Sequence, residues 1–186
     1  MQSIVLFGDS LLGRFGKEYI SLLEEKLDGF RVFNCAAGGM NSADGVERVD
    51  FISQLKPDVV VLSFGANDCA PWNEGVGLDD FLSNMQLMIE SFAYSNVVVF
   101  LCPPVYDPDD LQSSDAFNDV LRRYNSKLRK LALDMNVSVI DSGEIYGSLL
   151  KQGNDYHMGD GVHLNEFGYD VFIGELTDAV IEADLR

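Results

Sequence analysis

The chain has 186 residues and a formal net charge of −17, with 13 Lys+Arg against 30 Asp+Glu. At roughly 100–200 residues per domain, this length reads as a single domain over residues 1–186. Nucleic-acid binding needs a basic stripe to neutralise phosphates, and the chain has none; the same acidity sets it against an anionic membrane surface.

The first apolar run, Ile4–Phe7, follows no basic segment and is shorter than the roughly 7–15 residues of a secretory h-region. No stretch approaches the ~20 apolar residues of a membrane span. The three cysteines, Cys35, Cys69 and Cys102, show no CxxC spacing and no nearby histidine set, so neither a disulfide framework nor a zinc site is expected and a reducing cytoplasm is the default location. After Ile4–Phe7, the spacing of Phe15, Tyr19, Leu22, Leu23 and Leu27 predicts a first helix. A weak strand at Arg31–Asn34 leads to a second helix carrying Val46, Val49, Ile52 and Leu55. Val59–Phe64 and Val97–Leu101 are continuous and β-branched, as parallel strands buried on both faces require. Between them Phe81, Leu82, Met85, Met88, Ile89 and Phe92 mark a third helix, whose Met and aromatic stripe reads as core. Phe117, Val120, Leu121, Tyr124, Leu128 and Leu131 mark a fourth, Val137–Ile140 a fifth strand, and Phe172, Leu176, Ala179 and Val180 a last helix starting near Asn165. Strands alternating with helices predict right-handed crossovers, hence an α/β fold with a parallel sheet covered on both faces.

Ligands of such sheets bind outside the carboxyl ends of the strands. The informative segments are therefore GDSLLG (8–13), CAAGGMN (35–41), GANDCAPW (65–72), PPVYDPDD (103–110), DSGEIY (141–146) and the late loop DYHMGDGVHLNEFG (155–168). Ser10 follows the first strand directly; it either caps the first helix or acts as a nucleophile, and a serine nucleophile needs an adjacent base. The only histidines are His157 and His163. Asp160 precedes His163 by three residues, a spacing that lets a short turn set the carboxylate against Nδ1 and leaves Nε2 to take a proton from serine. Asp155 with His157 is a poorer pairing. An oxyanion has two sources of donors: the backbone of Gly38-Gly39 and the side-chain amide of Asn67, each otherwise an ordinary turn residue.

GDSLL, Gly39 in the second loop, GAND and DGVHLN together resemble the four blocks of the SGNH (GDSL-type) hydrolases, spread over residues 8–168. The resemblance implies a single-domain three-layer α/β/α sandwich with a flavodoxin-like five-stranded parallel sheet in the order 2-1-3-4-5. It implies Ser10 as nucleophile, Asp160 and His163 as its relay, and Gly39 and Asn67 as oxyanion donors, Gly39 because it follows Asn34 at the family's spacing. It further implies hydrolysis of a small-molecule ester, thioester or O-acetyl group without metal or cofactor. GDSLLGRFG replaces the commoner GDSIT-type continuation, and Asn41 stands where Thr or Ser is usual; both border the entrance and bear on substrate choice rather than mechanism. Asp9 is expected to support the Ser10 turn at the substrate pocket, and Trp72, Val105, Tyr106 and Val162 to line it. With no lid-sized insertion, the site suits short acyl groups.

Other readings of the framework fit less well. No G-x-S-x-G elbow occurs, and Gly75-Val76-Gly77 lacks the third glycine of a dinucleotide loop. A flavin-binding module would need a hydroxyl-rich loop where Leu11-Leu12-Gly13-Arg14 stands, and a phospho-receiver an aspartate closing the third strand. Asp9, Asp68, Asp155 and Asp160 are expected to give the active face a negative field that favours neutral esters over phosphoesters or acyl-CoA.

Overall fold

Val59-Val60-Val61-Leu62 sits at the centre of the sheet, and each of its side chains is at most 2% exposed. The structure, a computed structural model, describes residues 1–70 and 75–184. Its strands are β1 (Gln2–Gly8), β2 (Phe30–Asn34), β3 (Val59–Ser63), β4 (Asn96–Phe100) and β5 (Ser138–Ile140). All pair in parallel in the order β2-β1-β3-β4-β5, as the sequence resemblance implied. The alternation of side chains along each strand divides the apolar residues between two cores. Ile4, Leu6, Val59, Val61, Val98 and Phe100 face one; Val5, Phe7, Val60, Leu62, Val99 and Leu101 face the other.

The helices are α1 (Ser10–Gly13), α2 (Lys17–Lys26), α3 (Ser42–Ser53), α4 (Ala66–Cys69), α5 (Leu78–Ser91), α6 (Leu111–Asp134), α7 (Ser142–Lys151) and α8 (Glu166–Asp184). Leu23 of α2 and Phe172, Leu176 and Val180 of α8 fill the first core. Val49 and Ile52 of α3 and Phe81, Met85 and Met88 of α5 fill the second, so the methionine stripe is core, as its spacing predicts. Helix α6 serves both, with Phe117 and Leu121 in one and Leu128 and Ala132 in the other. The result is a three-layer α/β/α sandwich. No helix among the described residues is long and apolar enough to cross a membrane.

Three details depart from the sequence reading. The helix predicted from Phe15 to Leu27 is α2, which begins only at Lys17 and is preceded by the separate short helix α1, and Leu22 and Leu55 point outward at 42% and 52% exposure. The segment 141–146, read as a loop, opens α7 instead. Asp141 caps it by accepting a hydrogen bond from the Glu144 N–H at 3.3 Å, and Tyr146 enters the core.

Candidate active site

Because β1 lies between β2 and β3, the chain leaves β1 and β3 in opposite directions, and a crevice opens between their carboxyl ends. Ser10 stands at the first position of α1, directly after β1. The helix is capped not by Ser10 but by Asp9, whose Oδ1 accepts the Leu11 N–H at 2.9 Å. The hydroxyl of Ser10 is thereby left for other work. The turn is tight against β3: a Cβ on Gly8 would lie 2.3 Å from the Ser63 carbonyl oxygen, so only glycine fits there. Asn34, at the end of β2, fastens the same turn by donating to the carbonyls of Leu12 (2.8 Å) and Phe15 (3.0 Å) while accepting the Ala36 N–H at 3.0 Å. Its role as an anchor was visible in the sequence only as the spacing to Gly39.

Across the crevice runs the loop before α8. Asp160 Oδ1 accepts the N–H groups of Val162 (3.1 Å) and His163 (3.0 Å), which folds the loop into a tight turn. This directs Oδ2 at His163 Nδ1, 2.7 Å away, and His163 Nε2 lies 2.8 Å from Ser10 Oγ. Gly161 makes the turn possible, with φ of +68° and the Tyr106 carbonyl only 2.3 Å from where a Cβ would be. Partial burial pushes the Asp160 carboxyl upward, but the hydrogen bonds from His163 and Val162 outweigh it and bring it down to about 2. It therefore stays ionised beside the imidazole.

His157 is not part of this chain of contacts. Buried at 6% exposure, it has Nδ1 3.2 Å from Asp155 Oδ1 and Nε2 2.8 Å from the Pro104 carbonyl oxygen. Opposite the histidine loop, Asn67 in the single turn of α4 donates from Nδ2 to the Met40 carbonyl at 2.9 Å, which fixes the amide against the 38–40 loop. Among the described residues, the N–H groups of Ser10, Gly38 and Gly39 have no hydrogen-bond acceptor. Gly38 backs onto Ser10, since a Cβ added to it would lie 3.9 Å from the serine Cβ.

A cavity of about 290 Å³ gathers Asp9, Ser10, Asn67, Val162 and His163 with Leu11, Ala66, Pro103, Val105 and Phe117. Phe117 and Pro103 were not singled out as site residues; Phe117 carries the helical stripe of α6, and periodicity alone does not separate a pocket wall from core. Trp72 lies outside the described residues. Tyr106, expected in the pocket, is not among the residues lining it; it is 37% exposed, and its backbone N–H donates to the Gly161 carbonyl at 2.8 Å.

Asp9 and Asp68 are enclosed, each 1% exposed, although Asp9 lines the cavity. Asp68 Oδ1 accepts the Ser42 N–H at 2.9 Å, which ties α4 to the start of α3. Burial pushes both carboxyls up, Asp9 to about 7 with the charge of Asp68 contributing. The negative field expected from these two residues is therefore smaller than their formal charges suggest.

A parallel sheet with these groups at its switch point defines a carboxylic ester hydrolase framework. The chain belongs to the GDSL-like lipase/acylhydrolase family, whose model matches residues 6–171. Among solved structures it is similar to an acetyl xylan esterase, AlAXEase, at 27% identity and TM-score 0.82, covering 96% of this chain and 99% of that one. It also resembles a lipase/acylhydrolase from Enterococcus faecalis (22% identity, TM-score 0.80, 96% and 94% covered). The fold is shared with Axe2, an acetylxylan esterase from Geobacillus stearothermophilus (19% identity, TM-score 0.81, 96% and 94% covered). No curated protein sequence matches the chain.

Proposed function

We propose that residues 1–186 form one serine esterase domain that cleaves short-chain carboxylic esters through an acyl-enzyme, with Ser10, His163 and Asp160 as its triad. The continuous hydrogen-bonded path from Asp160 Oδ2 through both nitrogens of His163 to Ser10 Oγ carries the reading. His163 takes the Ser10 proton as Oγ attacks the acyl carbonyl. The oxyanion is held by the N–H groups of Ser10 and Gly39 and by the Asn67 amide. Collapse breaks the bond to the alcohol, which leaves with the proton from His163, and water repeats the sequence to release the acid. Asp160 holds the imidazole in its orientation and stabilises its charged form. Asp9 acts through the α1 turn rather than by touching substrate.

The cavity suits a small ester: at roughly 30 Å³ per water-sized volume, 290 Å³ holds about ten such units for acyl and alcohol portions together. Acetyl to hexanoyl esters of small neutral, aryl or sugar alcohols fit, and likeness to an acetyl xylan esterase supports the O-acetyl end of that range. Three cysteines without disulfides fit a cytoplasmic enzyme. The deciding measurement is p-nitrophenyl acetate hydrolysis. Ser10→Ala and His163→Ala should each abolish it, and wild-type rates in Ser10→Ala would overturn the assignment.

A further inference from the structure

A second cavity, of about 140 Å³, adjoins the catalytic one, and Val105, Phe117 and Val162 line both. These three side chains form a sill, and each is held in place. Asn118 clamps the backbone of Val105, accepting its N–H at 2.9 Å and donating to its carbonyl at 2.8 Å. Phe117 precedes Asn118 on α6 and is 7% exposed. Val162 stands between Gly161, whose carbonyl accepts the Tyr106 N–H, and His163. A wall so fixed does not yield readily to an incoming group.

Proton transfer decides which part of the substrate meets the sill. With the acyl carbon at Ser10 Oγ, the leaving oxygen must come within about 3 Å of His163 Nε2 to be protonated. The alcohol therefore leads away along the histidine loop, past Val162, while the oxyanion points toward Gly39 and Asn67. We infer that Phe117, with Val105 and Val162, limits the size of the leaving alcohol, and that the second cavity is the space an alcohol would reach were the sill lowered. This rests on Ser10 and His163 acting as proposed above. The released volume equals about five water-sized units at roughly 30 Å³ each, enough for several more non-hydrogen atoms of an apolar alcohol.

The test compares kcat/KM across two series, ethyl to hexyl acetates and ethyl acetate to ethyl hexanoate, in wild type, Phe117→Ala and Phe117→Leu. Phe117→Leu keeps an apolar side chain in the core and serves if the alanine variant fails to fold. The hexyl-to-ethyl ratio on the alcohol side should rise about tenfold in Phe117→Ala and by a smaller factor in Phe117→Leu, the scale on which apolar pockets discriminate. The corresponding acyl-side ratio should move less than about threefold. A rise on the acyl side alone, an equal rise on both, or no change in either variant overturns the inference. Ser10→Ala, assayed in parallel, separates the two readings: if it is inactive and the ratios stay put, only the sill fails, whereas an active Ser10→Ala removes the nucleophile itself.

Discussion

His157 Nε2 donates to the Pro104 carbonyl oxygen at 2.8 Å, and the hydroxyl of Tyr156 donates to the same oxygen at 2.9 Å. Two neighbours in the late loop thus grip the segment after β4, and the ring of His157 stacks on Tyr156 at 3.9 Å. This histidine fastens the loop that carries His163; it is too fully engaged to serve as a base. His157→Ala leaves the carbonyl and Asp155 short of a partner and should cost about 1–3 kcal/mol. For a chain of this length that lowers Tm by several degrees, at about 2–4 °C per kcal/mol. Esterase activity should persist below the new Tm. Lost turnover with an unchanged melting curve would instead assign His157 to the chemistry.

Asp160 differs in kind, since its two oxygens divide the labour between loop and imidazole. An amide at this position preserves shape but removes the charge, and Asp160→Asn should lower kcat by about 10⁴, the scale seen when a triad carboxylate is so replaced. Asn67→Ala should lower kcat by about 10²–10³ with little change in KM, as loss of one oxyanion donor does. A change confined to KM would place Asn67 in substrate binding. The carboxyl of Asp160 is held down to about 2, so its contribution to stability is complete above the ordinary carboxylate range and fades as pH falls toward 2. Acid denaturation of Asp160→Asn should accordingly show a shallower loss between about pH 4 and 2.

Asp9 has the opposite sign. Burial raises its carboxyl from 3.8 to about 7, and among the described residues its Oδ2 has no hydrogen-bond partner. Below pH 4 both folded and unfolded chains hold this proton. Between about 4 and 7 only the folded chain does, so stability falls as pH rises through that window and stays reduced above it. Asp9→Asn keeps an oxygen for the Leu11 N–H and cannot ionise. Its stability relative to wild type should climb across pH 4–7 and then level off, with a total change of about 4 kcal/mol from a shift of some three pH units. Urea titrations at pH 4, 5.5, 7 and 8.5 read this directly, and a difference that does not vary with pH would exclude a buried, proton-bearing Asp9.

The strands were legible because buried parallel strands are written as β-branched runs; the segments directly after β1 and β3 hold Ser10 and Asn67, and the loop before α8 holds His163. Asp-x-x-His pointed to His163 rather than His157, and in the structure the three-residue spacing lets one oxygen of Asp160 fold the turn while the other meets the ring. Helix α7 was missed because Asp141-Ser142-Gly143 reads as a turn; Asp141 followed three residues later by Glu144 is also a capping signature, and it is the one the chain uses. The burial of Asp9 and Asp68 had no local signal. Both look like loop carboxylates, and only the packing of α1, α3 and α4 around the strand ends encloses them. Phe117 likewise shows one periodicity for two roles, core and pocket wall.

With Asp9 and Asp68 enclosed, the acidity that bears on substrate comes from the rim. Asp107, Asp109 and Asp110 are exposed on the loop before α6, and the side chains of Asp155 and Asp160 are 64% and 42% exposed. Asp107, Asp110 and Asp160 border the second cavity, next to where the alcohol departs, and the protein as a whole carries −17. An anionic leaving group meets repulsion from several carboxylates at once, while a neutral one does not. Acetyl-CoA should therefore be a poorer substrate than a neutral thioester such as S-ethyl thioacetate at low ionic strength. Because the Debye length shrinks from about 10 Å at 0.1 M to about 3 Å at 1 M salt, the acetyl-CoA to S-ethyl thioacetate ratio of kcat/KM should rise with added salt. Asp110→Asn, which retains a capping side chain for α6, should raise the same ratio at low salt and blunt its salt dependence. A ratio indifferent to both salt and Asp110→Asn would mean that the rim carboxylates do not select the substrate.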